Sequence, residues 1–167
     1  MDLKDAIVTW MIEVMYQESQ IRNIGQVLKN GRMGPGRGFF QYEVATGGGS
    51  GANKVAIKRA ITWVNSNGEG RSPDFLWLSK LQPYNAKTRK AVTADADFRQ
   101  LTKEQQQILF VLDKAADKDP SYDQLRANLV KDTWDSVSYA NWQRGHWKGS
   151  GTPHKWRGKD VWKGWVS

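Results

Sequence analysis

The sequence predicts a mainly α single domain with a glycine-rich loop or short hairpin after its first helix. Three observations carry that expectation. Apolar residues recur at helical spacing near the N-terminus, in Leu3, Ile7, Trp10, Met11, Val14 and Met15. Nine glycines and one proline then crowd residues 19 to 52, too many for a helix. Further on, Thr102 to Gln105 reads as a capping box before the apolar run QQILFVLDKAADK.

The elements follow in order. Asp2 is a plausible N-cap for a helix over residues 2 to 18. The long glycine-bearing stretch after it is of the kind that carries function in a compact domain. Asn53 is expected to cap a second helix running to about Val64, which stops at the breaker run NSNGEG. Ser72 and Pro73 fit the N-cap and first position of a third helix, DFLWLSKL. The capping-box helix comes next, and one or two more are expected between Ser121 and Gln143. No internal repeat is found. Residues 1–143 form the expected domain, and 144–167 a basic, Trp-rich tail packed on it.

Composition narrows the function classes. With 39% hydrophobic and 25% charged residues the chain reads as globular, and no apolar run approaches the ~18 residues of a membrane span. The N-terminus carries Asp2, Asp5 and Glu13 and no cationic region, so no signal peptide is expected. The absence of cysteine excludes disulfides, thiolate zinc sites and cysteine nucleophiles. A net charge of +8 predicts attraction to a polyanion such as nucleic acid, anionic lipid or a cell-wall polymer. Six of the nine tryptophans lie from Trp134 onward, among Lys, Arg, His and Gly. They either pack over the helical core or form an adhesive surface that stacks on sugars or bases.

Projected at about 100° per residue, the first helix places Glu18 inside its apolar arc, one turn beyond Val14, and Glu13 toward the polar edge. A carboxyl at a helix C-terminus on the core face is partly desolvated and near negative backbone dipoles. Both effects favour the protonated form, as a general acid requires. The alternative is a Glu18 that opens the loop, turned outward or paired with Arg22. The stretch GRGFFQYEVATGGGSG supplies what a buried acid needs nearby: water-excluding aromatics Phe39, Phe40 and Tyr42, the amide of Gln41, and glycines that let backbone approach a ligand.

Glu18-Ser19 at a helix end, followed by Gly38-Phe39-Phe40-Gln41 and then Thr46, resembles the soluble lytic transglycosylase and goose-type lysozyme family. The resemblance covers residues 10 to 46 and implies a lysozyme-like (α+β) fold. It implies that Glu18 is the acid protonating the glycosidic oxygen between N-acetylmuramic acid and N-acetylglucosamine. Ser19 and Gln41 would position the sugar or the acid, with Gly38, Phe40, Tyr42 and Thr46 completing the substrate wall. The interval from Glu18 to Gln41 is longer than the family's. Its Tyr-Asn-Ala-Gly segment has two partial matches: Tyr84-Asn85-Ala86, followed by Lys87, and Tyr139-Ala140-Asn141, transposed but in a helical context. Tyr139 is the candidate carried forward.

Glycoside hydrolysis normally uses two carboxylates across the scissile bond, and Glu43 is the candidate for the second. Its alternative is an exposed loop carboxylate, in which case the resemblance implies a transglycosylase. There the sugar's own 6-hydroxyl attacks and leaves a 1,6-anhydro end. No cofactor is expected. GGGSGANK departs from a phosphate-binding loop at Asn53 and Val55, and His146 and His154 lack an acidic partner at ligand spacing.

The expected activity is cleavage of peptidoglycan strands by a phage-type enzyme. It would be made in the cytoplasm and act on the wall after release or from a virion, where other virion proteins would be partners. The alternatives are a nucleic-acid-binding protein using the basic tail and an inactive lysozyme-fold adaptor.

Overall fold

The computed structural model describes residues 3–131 and shows an α+β arrangement of helices with two small antiparallel sheets. Helix α1 (Leu3–Ser19) is followed by β1 (Gly25–Val27), β2 (Met33–Arg37) and β3 (Tyr42–Glu43), then α2 (Ala52–Ser66). After α3 (Leu76–Ser79) come the hairpin β4 (Tyr84–Asn85) and β5 (Lys90–Ala91), α4 (Lys103–Ala116) and α5 (Asp123–Lys131). None of these helices is long and apolar enough to cross a membrane. The proposed Asp2 cap, Tyr139, both histidines and the Trp-rich tail lie outside the described residues.

α1 is more deeply embedded than its stripe predicts. Ile7, Trp10, Val14 and Met15 are buried as expected, but Thr9, Ile12 and Glu13 are buried too. Glu13, expected at the polar edge, is fully enclosed. The projection assumed one covered face, and neighbouring elements cover more than one. Trp10 sits at the centre, its ring 4.8 Å from Phe110 and 6.2 Å from Tyr122. Phe40 stacks on Phe110 at 4.4 Å, an aromatic pair worth about 1 kcal/mol beyond its area.

The glycine-rich stretch is a three-stranded sheet in the order β1-β2-β3. Its central strand carries Pro35, which donates no hydrogen bond. A register irregularity between Gly25 and Val27 accommodates it, and the Gln26 side chain accepts the Gly36 N–H at 3.1 Å instead. Backbone pairing resumes at Gly36↔Glu43 and Arg37↔Tyr42.

α2 is capped by Gly51, in the left-handed region at φ 72°, and not by Asn53. Asn53 lies buried inside the first turn, where its amide donates to Asp95 Oδ1 and the Ala96 carbonyl. Ser72 does cap, accepting from Asp74 N–H, but the third helix begins as a 3-10 turn and has only one α turn. The capping box of α4 is present, with Thr102 and Gln105 each accepting the other's backbone N–H. α2 packs along α4, where Ala56 and Ala60 are fully buried.

Candidate active site

α1 stops abruptly after Ser19. Gln20 and Ile21 both adopt positive φ, near 55° and 57°, with Gln20 N–H on the Tyr16 carbonyl and Ile21 N–H on that of Met15. Such a conformation is costly for a β-branched residue and persists where its surroundings impose it. It turns the chain sharply and leaves Glu18 on the last helical turn, half-buried.

Glu18 borders two depressions. The first is a cavity of about 190 Å³ with Trp10, Phe40 and Phe110 among its aromatic lining and Glu43, Ser50 and Lys114 among its polar lining. The second runs from Gln17 past Arg22 to Val27. Glu18 and Gln41 belong to both, so the carboxyl stands at their junction. Burial raises its pKa above the usual 4.5. The opposite placement, with Glu18 turned outward on Arg22, is not what the fold adopts: Arg22 bonds the Ser19 carbonyl and Gln20.

The residues around Glu18 mostly hold backbone. Ser19 is buried, with its hydroxyl 2.9 Å from the Phe39 carbonyl and 3.0 Å from that of Met15, and it accepts Arg22 N–H. It therefore latches the helix end to the turn before β3. Gln41, at φ 54°, donates its amide to the carbonyls of Ile24 and Gly38 at 2.9 and 2.8 Å. Gly38 makes the turn at φ 80°. The resemblance implied that Ser19 and Gln41 position the sugar or the acid; their hydrogen bonds here shape the wall that carries Phe40.

Phe40 and Tyr42 line the cavity. The Tyr42 hydroxyl points into the core, donating to Asp113 Oδ2 at 2.7 Å, and its pKa is pushed up by burial and that carboxylate. Asp113 is completed by Arg59 at 3.1 Å. Glu43 lines the same cavity as Glu18 and accepts Ser50 N–H at 3.0 Å. Thr46 is not on the cavity wall; its N–H and hydroxyl go to Asp95. Tyr84, the other partial tyrosine match, is 67% exposed on the β4–β5 hairpin and lines neither depression.

Two organising residues escaped the sequence reading. Gln106 on α4 is buried, accepting Phe39 N–H at 2.9 Å and donating to Asn23 and the Leu101 carbonyl. With Ser19, it grips both ends of the Phe39 peptide unit. Its signal was present: Gln106 shares a helical arc with Leu109, Phe110 and Asp113, and a polar side chain on an apolar arc needs partners. Asp95 accepts from Ala45 N–H, Thr46 and the Asn53 amide, tying the segment after Glu43 to α2. Nothing local in the sequence marks it.

Those bonds hold the Asp95 carboxyl well below its ordinary value, the Thr46 hydroxyl contributing most. A carboxylate with a depressed folded pKa contributes stability above its unfolded pKa, and this is lost as pH falls through the folded value. The urea midpoint of the wild-type protein is therefore expected to decline below about pH 4. In Asp95→Asn it should be lower at neutral pH and decline less on acidification. Parallel curves for the two proteins would contradict this role for Asp95.

Among the described residues no group of three or more His, Cys, Asp or Glu is gathered to hold a metal. No protein-family model, curated protein or solved structure matches the chain.

Proposed function

We propose that the chain is a lysozyme-like enzyme that cleaves the glycosidic bond between N-acetylmuramic acid and N-acetylglucosamine in peptidoglycan, with Glu18 as the general acid. One observation carries the reading: a half-buried carboxyl with a raised pKa stands where two depressions meet. A linear glycan crossing that junction places sugars on both sides of the acid, which is the geometry of attack within a chain. The raised pKa keeps the proton available at pH values where an ordinary carboxyl has lost it. Aromatic rings on the cavity floor suit the apolar faces of pyranose rings.

Glu43 supports a two-carboxylate mechanism, because it lines the same cavity as Glu18. Glu43→Gln is then expected to lower turnover about a hundredfold with little change in folding. Loss of turbidity from a peptidoglycan suspension, followed by mass spectrometry of the products, tests the activity and its outcome together. Reducing ends and a Glu43-dependent rate identify hydrolysis. Ends of 1,6-anhydro form with a rate indifferent to Glu43 identify transglycosylation. An intact suspension across several wall types would sink the enzymatic reading.

A phage-type lysin or virion component remains the setting in which we place this activity. The competing nucleic-acid reading has one feature in its favour here, the exposed β4–β5 hairpin carrying Lys87, Arg89 and Lys90 beside Tyr84. Polyanion binding there would weaken steeply with salt, whereas cleavage by a buried acid follows pH. An inactive adaptor of the same fold would show neither.

A further inference from the structure

Lys114 is the one basic side chain on the wall of the cavity that contains Glu18 and Glu43, among the described residues. It extends from α4 with only 18% of its side chain exposed, and its Nζ lies 5.5 Å from the centre of the Phe110 ring. Its single ion pair among the described residues is with its chain neighbour, at 3.5 Å from Asp113 Oδ2. That carboxylate does not depend on Lys114. The same oxygen accepts from Tyr42 at 2.7 Å, and Oδ1 takes Arg59 at 3.1 Å. The cavity wall therefore carries a lysine whose side chain is mostly buried, set over an aromatic face, and surplus to the buried Tyr42–Asp113–Arg59 network.

Asp113 meets this cation at 3.5 Å, longer than a charge-assisted hydrogen bond of about 2.7–2.9 Å, and that carboxylate is already shared between Tyr42 and Arg59. The cavity wall also carries the carboxyls of Glu18 and Glu43. Burial raises the Glu18 carboxyl, which favours its neutral form, and Glu43 accepts Ser50 N–H at 3.0 Å. Lys114 therefore stands on the cavity wall where an anionic group of a ligand can take the direct hydrogen bond that Asp113 does not give it.

Resting on the peptidoglycan reading above, we propose that Lys114 recognises a free carboxylate on the sugar bound in this cavity, so that the preferred substrate is glycan whose lactyl groups no longer carry peptide. In peptide-bearing strands the lactyl group is an amide, which is neutral and offers the ammonium only a carbonyl dipole. Freed of its peptide it is a carboxylate, and the contact becomes an ion pair between two full charges instead of a charge and a dipole. The reaction that supplies this substrate is an amide hydrolysis: water splits the lactyl–peptide bond into the carboxylate and the peptide's free amine. The present chain would then act after an amidase.

Calorimetric titration of the Glu18→Gln protein, in which the glycan stays intact, tests this directly. The ligands are a peptide-free tetrasaccharide of alternating N-acetylglucosamine and N-acetylmuramic acid and the same tetrasaccharide with its carboxylates converted to methylamides. The free acid should bind about tenfold more tightly, a difference of about 1.4 kcal/mol. Adding Lys114→Gln should bring the ratio near one, while Lys114→Arg, which keeps the cation, should retain most of it. Equal affinity for the two ligands, or a preference that survives Lys114→Gln in a folded protein, overturns the assignment and leaves the glycan reading standing. Failure of both tetrasaccharides to bind removes the glycan reading and the Lys114 assignment with it.

Discussion

Glu18→Gln is expected to abolish cleavage, by about a thousandfold or more, without lowering the melting temperature at neutral pH. The first half follows from general acid catalysis, where a positioned proton donor contributes roughly 10²–10⁴ in rate and an amide has no proton to give. The second half follows from the direction of the Glu18 shift. A carboxyl whose folded pKa is raised by burial loses stability as pH rises from its unfolded value through the folded one. Above that window the ionised group is a net cost, which glutamine of the same shape does not carry. Melting temperature should therefore be equal or higher in the variant at pH 7, and the two proteins should converge as pH falls. Activity of the wild type should decline on the alkaline side at a pH above the ordinary carboxyl value. A stable, active Glu18→Gln protein would remove the acid from the mechanism.

Gly38→Ala is expected to have a large effect on folding. The residue sits at φ 80°, which costs a side-chain-bearing residue about 1–2 kcal/mol. A Cβ there would also overlap Gln106 Oε1, the acceptor of Phe39 N–H. Gln106 has little freedom to retreat, because its amide is fixed by Asn23 and the Leu101 carbonyl. Leaving the Phe39 N–H without its acceptor adds about 1–3 kcal/mol. A loss near 3 kcal/mol lowers the melting temperature by about 10 °C in a chain of this size. Gly31→Ala is the control: its φ is also 80°, but nothing lies within 4 Å of its would-be Cβ. Only the backbone term applies there, so its melting point should fall by less than half as much. Equal losses for both would mean that the Gln106 contact is unimportant.

Helical periodicity made the core of α1 and the position of Glu18 legible in the sequence, because both depend on rotation about one axis. The burial of Glu13 was not legible, since it depends on how many elements surround the helix. α4 was the clearest element because its cap and its apolar arc agree. The sheet was harder to read. β2 has the sequence MGPGR, in which three of five residues are Gly or Pro, types depleted in strands, and its pairing involves a register irregularity and the Gln26 side chain. Asn53 was misplaced as a cap because its type suits one, while the turn needs the left-handed conformation that Gly51 supplies.

The site divides in the same way. Within the stretch 36–51, residues Phe40 to Glu43 and Ser50 line the same cavity as Glu18 at the end of α1, while Thr46 does not. What fastens the stretch there comes from distant residues, Gln106 and Asp95, whose side chains meet backbone more than 40 positions away. Local patterns identify groups able to do chemistry, but long-range side-chain to backbone bonds decide where those groups stand.

The most direct test of the central claim is the release of soluble fragments from purified peptidoglycan by wild type and Glu18→Gln side by side, with both proteins shown to be folded. Fragments from wild type alone, cut between N-acetylmuramic acid and N-acetylglucosamine, are the expected result. Equal release by both proteins, or none by either, would contradict it.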